Sequence, residues 1–318
     1  MRAAVIGLVF MAGAVACSSS EGSEGGGPGG GAPLTPGVTV TSTASSSSGG
    51  TGTSSSSSTG GPAWTGFPAC TPQSSSSSSS SSVGTGSSSG NPWECLGHVC
   101  WPPPEVPSTT ITVRALDYIA DTNVEGVTVT LCAENDFDCE TPLQTGETDS
   151  FGEVTLTLPL AEDHGFAGHI ELTAGDRVPT IVHLYPPPTG NTSSWLVGVF
   201  THEQLDLVAR LAGADNIKPS RGHVGALVEN CAGDGAAGVT FNLESMDVVT
   251  SWAYLENNIP NENATATDET GTVGFFNVPT GFTFISATRV AGGVMIGRVP
   301  VLVRDGWVTT LVVPPTPL

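Results

Sequence analysis

The chain has 318 residues, with Gly 41, Pro 24 and long serine tracts, so only the stretch from about Thr109 to Pro315 is rich enough in apolar residues to form packed β structure. Lys+Arg 9 against Asp+Glu 30 gives a formal net charge of −21, which excludes the basic surface that a nucleic-acid partner requires and opposes attraction to anionic lipid headgroups. The surplus reads as a solvated acidic surface.

The N-terminal segment carries an address. Met1-Arg2 is a short basic start, and Ala3 to Ala16 is an apolar run of about 14 residues, too short to span a bilayer and suited to a signal-peptide core. It ends in Ala14-Val15-Ala16-Cys17, which resembles the bacterial lipobox, with Ala14 where that motif usually has Leu. The resemblance implies that residues 1–17 are a lipoprotein signal peptide with its lipobox, that Cys17 receives palmitate-type acyl chains, and that the membrane partner is reached through this lipid anchor. Two acyl chains give durable attachment where one is marginal. Ser18 matches the outer-membrane sorting rule of enteric bacteria, so the expected location is the bacterial cell envelope, lipid-anchored at the outer membrane. Plain cleavage after Ala16 with release of a soluble protein is the alternative.

Residues 18–107 follow as a Ser/Gly/Pro-rich segment that includes the run Ser74 to Ser82. Such a composition cannot offset its ordering entropy, so a disordered stalk with a root-mean-square reach on the order of 50 Å is expected. Trp64, Phe67 and Cys70 interrupt the tract.

Setting Cys17 aside, the cysteines are Cys70, Cys95, Cys100, Cys132, Cys139 and Cys231. An even number in an exported chain reads as a disulfide set, although six cysteines allow 15 pairings. Short separation favours Cys132–Cys139 and Cys95–Cys100, which leaves Cys70–Cys231 to pin the far end of the stalk onto the second half. Zinc at Cys95-Leu-Gly-His98-Val-Cys100 is the rival for one of these, and it is one donor short of four.

From residue 108 onward, apolar and polar residues alternate in short runs broken by turn signals, the pattern of β-sandwiches. Ile111, Val113 and Ala115 alternate with Thr112 and Arg114, then come Gly126 to Leu131, Glu153 to Pro159, His169 to Thr173, Thr180 to Leu184 and Trp195 to Phe200. The second half replays the order with Gly222 to Val228, Gly238 to Leu243 and Thr272 to Pro279. Thr148-Asp149-Ser-Phe-Gly152 in one half matches Thr267-Asp268-Glu-Thr-Gly271 in the other, which implies two copies of one unit. Asp closes an Asx-turn on its own backbone and Gly takes the positive φ that ends it. Between the copies, Thr201-His-Glu-Gln204 is a capping box that opens a helix with Leu205, Val208, Ala209 and Ala212 on its apolar face.

The order Gly-Val-x-Val, Thr-Asp-x-x-Gly, then a strand ending in Asn277-Val-Pro-Thr-Gly281, resembles the carboxypeptidase-regulatory-like family of prealbumin (transthyretin-like) β-sandwiches. The resemblance implies an all-β fold: two tandem Greek-key-type sandwiches, residues 108–200 and 219–318, joined by a short linker helix within 201–218. The second copy fits the pattern well. The first lacks the Pro-x-Gly turn, where Leu160 to Gly168 intervenes.

No His-Glu-x-x-His frame or phosphate loop occurs in the sequence, and the one Gly-x-Ser-x-Gly string, Gly86 to Gly90, lies within the Ser/Gly-rich tract. Accordingly no catalytic residue, metal ligand or cofactor is assigned. The alternative is an enzyme with a prealbumin-like metal site similar to that of intradiol dioxygenases, which requires Tyr118, Tyr185 or Tyr254 to converge with His183 and His223 on one ion. The oxygen-rich loop Glu134 to Glu140 offers Asp136 as a Ca²⁺ ligand but lacks the EF-hand spacing. Trp195, Trp252 and Tyr254 are the candidate aromatics for a glycan, although alternating strand aromatics are more often core. The expected function is therefore non-catalytic: a surface-anchored lipoprotein that offers two β-sandwiches to a glycan or protein ligand, or serves as a spacer.

Overall fold

The computed structural model describes residues 91–97, 99, 103–162, 165–190, 193–256 and 259–316, so Cys17, Cys70, His98 and Cys100 lie outside the described residues. The first half contributes β1 (Ser108–Asp117), β2 (Thr128–Ala133), β3 (Gln144–Glu147), β4 (Glu153–Pro159), β5 (Gly168–Thr173), β6 (Thr180–His183) and β7 (Ser193–Val199). The helix α1 (His202–Leu211) follows. The second half contributes β8 (Gly222–Val228), β9 (Val239–Leu243), β10 (Ser251–Glu256), β11 (Ile259–Asn261), β12 (Thr272–Val278), β13 (Gly281–Arg289), β14 (Met295–Val303) and β15 (Val308–Val313). Among the described residues the fold is all-β apart from α1.

The two halves repeat one pairing scheme. β1 runs antiparallel to β4 and parallel to β7, while β8 runs antiparallel to β12 and parallel to β15. The local chemistry repeats with it. The Thr148 hydroxyl donates to the Val124 carbonyl and accepts from the Val127 N–H, and the Thr267 hydroxyl does the same with Ala236 and Val239. Asp149 accepts from the N–H of Phe151, and Asp268 from that of Thr270. Gly152 (φ +73°) and Gly271 (φ +69°) close the two turns, where an added Cβ would stand 2.6 Å from the Ala115 carbonyl oxygen and 2.4 Å from that of Val228.

Each half has its own apolar core. Ile111, Val113, Leu156, Leu158, Ile170 and Leu172 fill the first, and Val224, Phe275, Ile285, Ile296, Val301 and Tyr254 the second. The halves are not separate beads on a helical linker, however. One nine-stranded sheet runs β11-β10-β12-β8-β15-β6-β5-β2-β3 through both, covered by β4-β1-β7 at one end and by β14-β13-β9 at the other. The seam is a parallel pairing of β15 with β6, with Val308, Thr309 and Thr310 opposite Thr180, Ile181 and Val182.

Helix α1 forms for a local reason. The N–H of Gln204 donates to the Thr201 hydroxyl, and the Gln204 side chain accepts from the Thr201 N–H. Leu205 and Ala209 are buried with Val178 and Phe200 from the first half and with Ala253, Phe276 and Val308 from the second. Gln204 also donates to Asp117, which Arg177 holds from the other side.

Residues 91–97 depart from the expected stalk. Trp93 is buried in the second core, the Cys231 N–H donates to the Pro92 carbonyl, and Arg289 lies over the Trp93 ring at 5.5 Å. Cys95 is bonded to Cys231, which replaces both the expected Cys95–Cys100 pair and the Cys70–Cys231 pair. Once Trp93 docks beside Cys231, a partner 136 positions away in sequence is the near one in space. Cys132 is bonded to Cys139.

Candidate functional site

The polar side chains that the fold brings together from both halves lie at the seam. Residues opposite one another in a sheet share a face. His169 of β5 pairs with His183 of β6, and Glu171 with Ile181, so His169, Glu171 and His183 project together away from the first core. The turn from β14 to β15 brings Arg304 over them.

Arg304 Nη1 lies 2.6 Å from Glu171 Oε1, and His169 Nε2 lies 3.3 Å from the same oxygen. The guanidinium also donates to the Phe137 carbonyl and stacks over Trp307 at 4.9 Å. His183 Nε2 accepts from the Leu302 N–H at 3.3 Å. Beside them, the rings of Phe137 and Phe282 meet edge-on at 4.4 Å, which joins the Cys132–Cys139 loop of the first half to β13 of the second. Burial pushes the Glu171 carboxyl up, but its hydrogen bonds to His169 and Arg304 and the charges of both groups outweigh that and hold it below the ordinary range. His183 is pushed down to about 3 by burial, with the charges of His169 and Arg304 adding to the effect. The arrangement is that of a clamp: a buried ion pair whose two members come from different halves.

Donor atoms of Cys132, His169 and Glu171 lie within 4.8 Å of one another, the geometry of a metal site. The chemistry does not fit one. The Cys132 sulfur is in a disulfide and is no thiolate, and Glu171 already holds Arg304. Asp136 is likewise committed: its two oxygens accept from the N–H groups of Glu140 and Thr141 and from the Thr141 hydroxyl.

The remaining sequence candidates scatter. His223 pairs with Val308, which pairs with Thr180, so His223 shares its face with Thr180 and Val182. His183 stands on the opposite face, and the two histidines cannot converge on one ion. Tyr118 packs on Phe200 with ring centroids 3.9 Å apart, and Tyr254 is buried with its hydroxyl accepting from the Phe241 N–H. Of the three candidate glycan aromatics, Tyr254 is core, Trp195 is half-buried against the first core, and Trp252 is 38 % exposed. Cys17 and Cys100 lie outside the described residues.

The seam residues His169, Glu171 and Arg304 were not singled out from the sequence. Their signal is faint: Glu171 is a charge on an otherwise uncharged strand, and Arg304 is one of only nine cationic residues.

No family profile matches the sequence, and no curated protein matches it. Among solved structures the chain is similar to the Bacillus anthracis TIE protein (14 % identity, 65 % of this chain and 34 % of that one, TM-score 0.23). It is also similar to the shaft pilin SpaA of Lactobacillus rhamnosus GG (13 % identity, 67 % and 98 %, TM-score 0.22). A third similarity is to 3-chlorocatechol 1,2-dioxygenase of Rhodococcus opacus 1CP (9 % identity, 31 % and 62 %, TM-score 0.22). The chain spans about a third of the Bacillus anthracis protein and 64 % of a streptococcal ancillary pilin. At such scores the fold is read from the chain's own strand order.

Proposed function

We propose that the chain is a non-catalytic lipoprotein of the bacterial cell envelope, anchored at the outer membrane through Cys17, that presents two fused prealbumin-like sandwiches to a protein or glycan partner. The observation that carries this reading is the continuous sheet. A seam of β15 on β6, clamped by Glu171–Arg304 and by Phe137 on Phe282, makes one stiff body from two small domains. Such a body suits presentation at a distance. The Cys95–Cys231 bond attaches the chain's entry point to the second half, which favours the first half as the membrane-distal one. The Ser/Gly-rich tract after Cys17 supplies the reach.

Labelling of cells with a radioactive palmitate precursor tests the anchor. The full chain should carry label and partition into detergent, while Cys17→Ser should lose both properties. An unlabelled wild-type chain, or a Cys17→Ser variant that stays in the membrane fraction, would contradict the reading.

A further inference from the structure

A cavity of about 60 Å³, partly open to solvent, lies between α1 and the sheet face beneath it. The sequence makes it by leaving side chains out. Gly225 of β8 and Gly274 of β12 are cross-strand partners, and the same row continues to Ala253 on β10 and Thr310 on β15. Neither glycine has the left-handed φ that would require it; a Cβ on Gly225 would meet nothing closer than Thr310 Cγ2 at 3.7 Å, whereas one on Gly274 would stand 3.2 Å from the Phe276 ring. Glycine in a strand interior weakens pairing and marks a place where something approaches the backbone closely.

The walls are Tyr118, Phe200, Leu205, Phe276 and Val308. Among them stands His223, 2 % exposed, with neither ring nitrogen hydrogen-bonded among the described residues. A buried polar group without a partner is costly and calls for one. Apolar walls, a floor centred on two glycines and a single unsatisfied imidazole together describe a site awaiting a ligand.

We propose that this cavity binds a short neutral alcohol, or the hydroxyl end of a longer one, with its hydroxyl on His223. A neutral imidazole offers one donor and one acceptor, and a hydroxyl can meet either. The volume is several times the ~10–15 Å³ that suffices to hold one water, enough for a few heavy atoms with the rest of the molecule at the mouth. The negative charge of Asp206 acts on His223 and disfavours an anion there, while the apolar walls disfavour a cation. The site is independent of the anchoring and presentation argued above.

Ligand-observed saturation-transfer NMR of the full chain with 1-butanol tests it. Saturable transfer with a midpoint on the order of millimolar is expected, as befits so small a ligand. Gly225→Val fills the floor and should abolish it. His223→Phe keeps the shape and removes the hydrogen bond, so at about pH 7.5 it should weaken 1-butanol binding at least about tenfold with the urea midpoint not lowered. If Gly225→Val fails to fold, Gly225→Ala, which its 3.7 Å clearance permits, should weaken binding instead. Transfer that does not saturate, or that is equal in wild type and the folded Gly225 variant, overturns the proposal. So does a His223 whose nitrogens are met by internal water that 1-butanol does not displace.

Discussion

Arg304 joins Glu171, the Phe137 carbonyl and the Trp307 ring at a point where both halves meet. The side chains of Arg304 and Glu171 are only 16 % and 11 % exposed, so removing one leaves the other charge buried without its partner. Arg304→Met should cost about 3–5 kcal/mol in urea unfolding of the full chain. Adding Glu171→Leu should recover much of that loss, because two apolar side chains replace a desolvated pair. A double variant no more stable than the single one would contradict the clamp.

One buried and two half-buried groups dominate the pH dependence between about pH 4.5 and 6.5. His183 and His223 have pKa values lowered from the ordinary 6.5 to about 3 and about 4, so the unfolded chain binds more protons than the native one once pH falls below 6.5. Their contribution to stability is complete above pH 6.5 and is lost as pH falls toward 4. Glu229 acts oppositely: burial, aided by Asp234, raises it from 4.5 to about 7, so its contribution is present below 4.5 and lost as pH rises to 7. Two histidines against one glutamate leave a net loss of about 1.4 kcal/mol per pH unit as pH falls from 6.5 to 4.5. His223→Phe should flatten that slope to near zero, as read from urea midpoints at several pH values.

At the scale of elements, the parts encoded locally were legible. The motif Thr-Asp-x-x-Gly places a threonine bridge, an Asx-turn and a left-handed glycine within a few residues, and all three recur in both halves. Gly152→Ala and Gly271→Ala should therefore destabilise alike, each by at least about 1–3 kcal/mol, since both combine left-handed strain with contact on a backbone carbonyl. A large cost in one half and none in the other would break the equivalence. The capping box of α1 was legible for the same local reason.

Elements that depend on distant partners were not. Six cysteines allow 15 pairings, and nothing near Cys95 in sequence points to Cys231. Trp93, just after a serine tract, has no periodic apolar neighbours to mark it as core, and the core that buries it lies far on in sequence. Cys95→Ser with Cys231→Ser should cost about 2–5 kcal/mol, because the bond closes a loop that contains the whole first half. Thermal unfolding of the wild type and the double variant, both without reductant so that Cys132–Cys139 stays intact, measures the cost.

For the whole molecule, alternation in β6 and β15 predicts a strand in each but not that one lies along the other. Both Thr180 to His183 and Val308 to Val313 satisfy any neighbour with the right period, and the register that fuses the halves is set by side chains on other elements. The expected pair of tandem sandwiches therefore becomes a single sheet with covers on opposite faces. The pocket under α1 was hidden for a related reason. Gly225 and Gly274 are ordinary in their own strands and form a floor only when β8 lies beside β12.

Whether β15 on β6 makes one body of two sandwiches is decided by hydrogen exchange resolved over Thr180–His183 and Val308–Val313 in the full chain. Amides at the seam should exchange as slowly as those of β1 in the first core. Rapid exchange at the seam, with β5 and β8 still protected, would mean two independent domains and would contradict the single body.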